Sequence, residues 1–257
     1  MHSHIDFGYS WQWVYGHLVI AAIAFAICVL GWSRRWPKVV LALSGVLTLW
    51  AVAAFLVVRM ELNMNGRMQV PTERFLASGS GRVLDMGAGS GRSSLMVLEA
   101  RPKATLVALD NFGSEYIHHF GGKKDEALDL GREKLLANFR AAGVEQRASI
   151  QPGDMRNMPF EPSSFDAVIS AYAIDHLNSD GIRQSLSEAS RVLKPGGEFL
   201  LVVLAKDAWV NFAWGPVFLH RGTREPARWA VLLQQAGFEI VEQGAHPATL
   251  YFLARKK

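Results

Sequence analysis

Two uncharged apolar runs near the N-terminus constrain this chain more than any other feature. Residues 14–32 read VYGHLVIAAIAFAICVLGW, and residues 39–58 read VVLALSGVLTLWAVAAFLVV. At about 1.5 Å of helical rise per residue, each run covers a hydrocarbon layer of about 30 Å. Trp11, Trp13, Tyr15, Trp32 and Trp36 mark the ends of the runs, where amphipathic rings favour the headgroup zone. The link SRRWPK is short and Pro37 suits a turn, so the two runs predict a helical hairpin of transmembrane length. A cleaved signal peptide fits less well, because no basic segment precedes the first run and a second apolar run follows. Buried core helices of a soluble protein are the other alternative, weakened by two such runs standing side by side. His17 is the only group in the first run that titrates near neutral pH. A polar group at that depth is expected to pack against a partner or line a path.

Charge follows the same division. The formal net charge is +4, and residues 1–69 hold Arg34, Arg35, Lys38, Arg59 and Arg67 against Asp6 and Glu61. The excess thus flanks the apolar runs, and residues 70–257 are close to neutral. A nucleic-acid binder would place its positive charge on the folded domain, so no nucleic-acid partner is expected. The single cysteine, Cys28, lies inside an apolar run, which excludes an internal disulfide and argues against a cysteine-based metal site.

From about residue 70 the pattern changes. Short apolar runs (RVLDMG, TLVALD, ASIQPGD, FDAVISA, EFLLVVLA, FEIVEQ, TLYFLAR) alternate with amphipathic stretches such as Gly131–Ala142 and Gly181–Leu193. Alternation of this kind predicts an α/β domain with a parallel sheet covered on both faces. The last two runs are separated by only a short turn, which predicts an antiparallel hairpin at one sheet edge. The division expected is a membrane hairpin and linker over 1–69 (helices about 14–32 and 39–58) and a catalytic domain over 70–257.

The segment VLDMGAGSGRSS, residues 83–94, carries the clearest chemistry. A strand runs into Gly87, Gly89 and Gly91, and a helix follows. Glycines let the backbone turn sharply and approach a ligand closely, and the helix N-terminus offers free N–H groups. Nicotinamide-binding proteins share that logic, so the glycines alone decide little. Asp85, two residues before Gly87, is suited to an ammonium group and would repel a pyrophosphate.

Over residues 75–257 the chain resembles the class I methyltransferases, and within them the small-molecule enzymes that include the ubiquinone/menaquinone group. Five motifs carry the resemblance: Asp-x-Gly-x-Gly-x-Gly at Asp85–Gly91; TLVALD ending at Asp110, 19 residues after Gly91; QPGDMRNMPF with Asp154 and Met155; FDAVISAYAIDHL at 165–177; and RVLKPGGEFLLV at 191–202. It implies a Rossmann-like sheet, mostly parallel with the last strand antiparallel, preceded here by two transmembrane helices. It also implies S-adenosylmethionine (SAM) as methyl donor. The residues it assigns to the cofactor are Asp85, Gly87, Ala88, Gly89, Gly91, Asp110, Asn111, Asp154, Met155 and Ala171, with Asp110 on the ribose hydroxyls and Asp154 near the adenine.

Methyl transfer from a sulfonium is an in-line displacement in which alignment of the acceptor does much of the work. A base is needed only where the acceptor holds a proton at neutral pH. Tyr172, Asp175 and His176 follow the fourth strand and are the catalytic candidates; His176 has the right intrinsic pKa. Amine-methylating enzymes for adenine or glutamine carry an Asn/Asp-Pro-Pro-Tyr-like motif there, where this chain has Ala171, Tyr172, Ala173 and Ile174. Residues 111–130 are longer than the fold requires and are expected to form a lid with Gly113, Gly121 and Gly122 as hinges. Tyr116, His118 and His119 in that stretch, with Trp209 and Trp214 in the aromatic stretch 208–220, which also holds Phe212 and Phe218, are the expected acceptor contacts. The His118–His119 pair lacks an acid or cysteine at ligand spacing, so no metal is expected. The function expected is methylation of a small hydrophobic or membrane-partitioned acceptor, quinone- or lipid-like, at the cytoplasmic face of a membrane. The alternatives are S-methylation of small volatile thiols, a protein or nucleic-acid methyltransferase, and a non-catalytic SAM-binding membrane protein. The bilayer is the expected partner, and the hairpin offers a surface for homo-oligomer formation. A cytoplasmic catalytic domain sends the Arg34–Lys38 turn outward, against the positive-inside tendency, while Arg59, Arg67, Arg74 and Arg82 pull the other way. A hairpin that enters without fully crossing relieves that conflict.

Overall fold

The computed structural model describes residues 4–120, 126–214 and 224–257. The apolar runs form α1 (Trp11–Ser33) and α2 (Lys38–Val57), joined by a turn in which Arg35 takes a left-handed conformation and Pro37 precedes the second helix. One π-turn, Val58–Leu62, extends α2 to Asn63, which is also left-handed. The pair buries small or polar residues, among them Ala21, Ala24, Gly31, Ser44, Ala51 and Ala54. It turns Ile23, Phe25, Val39, Leu43 and Leu49 outward. That is the reverse of a soluble bundle and the usual arrangement of helices that pack in lipid. Both helices are long and apolar enough to cross a membrane.

The remainder is an α/β domain. Its strands are β1 (Ser80–Met86), β2 (Lys103–Asp110), β3 (Ala148–Pro152), β4 (Phe165–Ala171), β5 (Leu193–Leu204), β6 (Phe238–His246) and β7 (Thr249–Lys256). Its helices are α3 (Arg92–Ala100), α4 (Ser114–Phe120), α5 (Ala127–Ala141), α6 (Ser179–Val192), α7 (Ala208–Trp214) and α8 (Pro226–Gln235). The sheet order is β3-β2-β1-β4-β5-β7-β6. The first five strands pair in parallel, and β7 runs antiparallel to both β5 and β6. The Rossmann-like sheet is therefore the one expected. The Lys-Pro-Gly-Gly turn is absorbed into β5: pairing jumps from Phe165↔Leu193 to Ala167↔Glu198, so residues 194–197 loop out of the ladder.

Both sheet faces are covered, which is why the strands read as continuous apolar runs. Val83, Ile169 and Leu200 pack on one face with Leu95, Leu98 and Phe139. Their neighbours Leu84, Val168 and Leu201 pack on the other with Leu186, Trp229 and Phe238. The first core also takes in Phe7, from the segment before α1. That segment is clipped to α5: Asp6 N donates to Asn138 Oδ1 (3.0 Å), Asn138 Nδ2 donates to Asp6 O (2.9 Å), and Lys134 pairs with Asp6 (2.6 Å).

Candidate active site

Parallel strands point their C-terminal ends to one edge of the sheet, and a doubly wound sheet binds ligands in the crevice there. β1 ends in the glycine loop, β2 in Asp110, β3 just before Asp154, and β4 in Ala171. All four border one cavity, with Gly87, Ala88, Gly89, Asp110, Asn111, Asp154, Met155 and Ala171 in its lining. Gly87 has φ +88° and its missing Cβ would stand 2.4 Å from Ala173 Cβ, so no other residue fits there. Gly91 has φ +90° and precedes the first turn of α3, which leaves N–H groups of that turn facing the loop.

Asp110 braces the loop. Its Oδ2 accepts from Gly89 N (2.8 Å) and its Oδ1 from Phe112 N (2.7 Å). Burial raises its pKa, opposed by those backbone bonds. Each carboxylate oxygen retains a lone pair for a further donor, as ribose hydroxyls would require. Asp154 is bound by Arg156 through both oxygens, and that guanidinium holds its pKa low. Asn111 Oδ1 accepts from Gly113 N (3.0 Å).

Asp85 is placed differently. It is fully buried and does not border the cavity. Its Oδ2 accepts from Ser93 Oγ (2.7 Å) and Ser94 Oγ (2.5 Å), while Oδ1 meets no hydrogen-bond partner among the described residues. Burial pushes its pKa up to about 6 against the pull of the two serines. The side chain therefore fixes the start of α3 and presents negative charge behind the loop.

Much of the remaining lining is aromatic. Tyr172, the residue after β4, has φ +51°, a left-handed conformation costing on the order of 1–3 kcal/mol that is kept where surroundings enforce it. Its hydroxyl meets Thr249 Oγ1 at 2.6 Å, and burial raises its pKa. Asp175 and His176 follow in one 3-10 turn, Ile174–His176, and both line the cavity with Tyr172. Tyr116 lines it too, its pKa pushed up to about 12 by burial, with a smaller contribution from Asp110.

Several wall residues carry no readable signal in the sequence. Tyr9 and Trp13 come from the N-terminal side of the hairpin, Met64 and Met68 from its C-terminal side. The Tyr9 ring packs on Phe120 (4.8 Å between centroids), and Tyr9 shares a hydrogen bond with Arg92. Arg92 Nε donates to Gly66 O (2.8 Å) and Nη2 to Asn63 O (3.1 Å), tying the cavity to the linker. Of the expected acceptor contacts, the structure brings Tyr116 and Trp214 to the cavity. His118 is not in the lining but backs it, meeting the wall residue Trp13 edge-on at 5.3 Å, and Trp209 is 46% exposed. The His119 side chain, Gly121, Gly122 and Phe218 lie outside the described residues.

Residues 83–197 match the family described as Methyltransferase domain. The uncharacterized methyltransferase sll0829 of Synechocystis sp. is 28% identical over 223 residues, which cover 82% of this chain and 87% of that protein. The ubiquinone/menaquinone biosynthesis C-methyltransferase UbiE of Bartonella tribocorum is 35% identical over 120 residues, or 46% of this chain and 39% of that one. The chain thus spans well under half the length of that relative. In fold it is similar to the mitomycin 7-O-methyltransferase MmcR, with a TM-score of 0.55 at 17% identity over 84% of this chain and 57% of that structure. The match over residues 83–197 takes in the glycine loop and the strands that border the cavity, and the sheet order agrees with it. The protein is a SAM-dependent methyltransferase.

Proposed function

We propose that this enzyme is anchored in a membrane by its hairpin and methylates a small hydrophobic or membrane-partitioned acceptor at the cytoplasmic face. The observation that carries the reading is a single cavity shared by the glycine loop and the hairpin. Backbone glycines and Asp110 line it together with Tyr9, Trp13, Met64, Met68 and Trp214, which are contributed by or packed on the hairpin, and Tyr9 reaches the glycine loop through Phe120. The outward apolar face of α1 and α2 supports the anchor, and the name of the UbiE relative points to quinone-like acceptors. We assign residues 70–257 to the catalytic domain, with residues 5–9 packed on it.

SAM supplies an activated methyl group and needs no further electrophile. In this reading the Gly87–Gly91 loop, Ala88 and Ala171 would hold its polar parts, Asp110 would accept from the ribose hydroxyls, and Asp154 and Met155 would border the base. Asp85 acts at one remove by orienting Ser93 and Ser94. Trp214 and Tyr116 exclude water and align the acceptor. His176 takes the acceptor's proton, with Asp175 beside it in the same turn and Tyr172 fixing the strand end.

The test is label transfer. Full-length protein in liposomes is incubated with methyl-labelled SAM and a panel of quinols, phenols, lipids and small thiols. Label on a quinol, phenol or lipid supports the proposal; label confined to small soluble thiols overturns the acceptor class.

A further inference from the structure

Helix α7 joins the hairpin to the cavity. Val210, Ala213 and Trp214 pack with Ala54 and Val58 of the second hairpin helix and its extension. Two polar groups of the hairpin reach the last turn of α7: Trp50 Nε1 donates to Phe212 O (3.0 Å), and His17 Nε2 lies 2.8 Å from Ala213 O. A helix leaves its last carbonyls without intrahelical partners, and these contacts satisfy two of them. They also explain why a histidine stands, buried, in an otherwise apolar helix. Trp214, the next residue, forms part of the cavity wall.

The opposite side of α7 is open and mostly apolar, with Asn211 its one exposed polar side chain. Trp209 is 46% and Phe212 42% exposed, and AWVNFAW holds no charge. Trp50 lies eight residues before Val58, the end of the apolar run, or about 12 Å along a helix. Ala54 and His17, other contacts of α7, lie about 6 and 5 Å inside the ends of their runs, so with the hairpin in a bilayer α7 spans from the headgroup boundary into the adjoining acyl chains.

We propose that α7 is seated in the headgroup–acyl boundary of the bilayer, latched there by His17 and Trp50, and forms the wall through which a lipid-dissolved acceptor reaches the cavity. Its outward aromatics face lipid while Trp214 faces the acceptor, so the path from membrane to cavity is one helix thick. This rests on the membrane anchoring proposed above.

The experiment separates the two claims. In a Cys28→Ser background, single cysteines replace Phe212, Leu49 in the hairpin, or Gln184 on α6, and each carries a fluorophore. The full-length proteins are placed in phosphatidylcholine–phosphatidylglycerol vesicles with nitroxide-labelled phosphatidylcholine. The expected result is loss of fluorescence at positions 212 and 49 and none at 184. Adding His17→Leu and Trp50→Phe should restore fluorescence at 212 and leave 49 quenched, and His17→Gln in place of His17→Leu should keep part of the quenching. Quenching at 49 without quenching at 212 overturns the proposal while the anchor stands. No quenching at 49 removes the anchor and the proposal together. Unchanged quenching at 212 in the doubly substituted protein overturns the latch.

Discussion

Asp85 and Asp110 end neighbouring strands yet do different work. Asp110 borders the cavity, so Asp110→Ala should weaken SAM binding by about 1–3 kcal/mol, the usual loss for hydrogen bonds to a charged group. Calorimetry at pH 7 reads this directly. Asp85 titrates with a raised pKa of about 6, so between about pH 4 and 6 the folded state binds more protons than the unfolded one. Its contribution to stability is therefore greatest below about pH 4 and falls as pH rises through 6, by on the order of 2–3 kcal/mol in total. Asp85→Asn should raise the melting temperature of the ligand-free protein at pH 7 more than at pH 4.5. An equal shift at both pH values would remove the buried charge from the account. If His176 is the base, His176→Ala should lower kcat by about 10²–10⁴-fold and leave SAM affinity unchanged.

Among elements, the N-terminal segment departs most from what its sequence suggests. Phe7 is buried in the catalytic core, and Asp6 contacts a residue 132 positions away. Phe7→Ala should destabilise the protein by about 3–5 kcal/mol, read as a loss of melting temperature. Deleting residues 1–69 should weaken SAM binding as well as stability, since Tyr9, Trp13, Met64 and Met68 leave the cavity; calorimetry on the shortened protein checks it. The motif-bearing strands were readable because each packs its meaning into a few neighbouring residues: Asp85 to Gly91, the run into Asp110, the turn after Ala171. Tyr9 and Trp13 were not, because their roles depend on contacts made across the whole fold. Arg92 lay inside a readable motif, but its bonds to Asn63 and Gly66 belong to the linker. Trp209 and Trp214 looked equivalent in sequence, and only the packing of α7 on the hairpin turns one to the cavity and the other outward.

The whole molecule couples its two parts at both ends of the hairpin. The entry at residues 5–10 packs on α4 and α5, and the exit at residues 58–68 packs on α3 and α7. Anchoring concentrates the enzyme where a lipophilic acceptor dissolves, raising effective concentration without altering the chemistry. The most direct measurement is initial rate against acceptor hydrophobicity, using a homologous series of quinols of increasing chain length in liposomes with full-length enzyme. The account predicts that kcat/KM, expressed on total acceptor concentration, rises with partitioning into the bilayer. A flat or falling profile, with the water-soluble members methylated best, would contradict it.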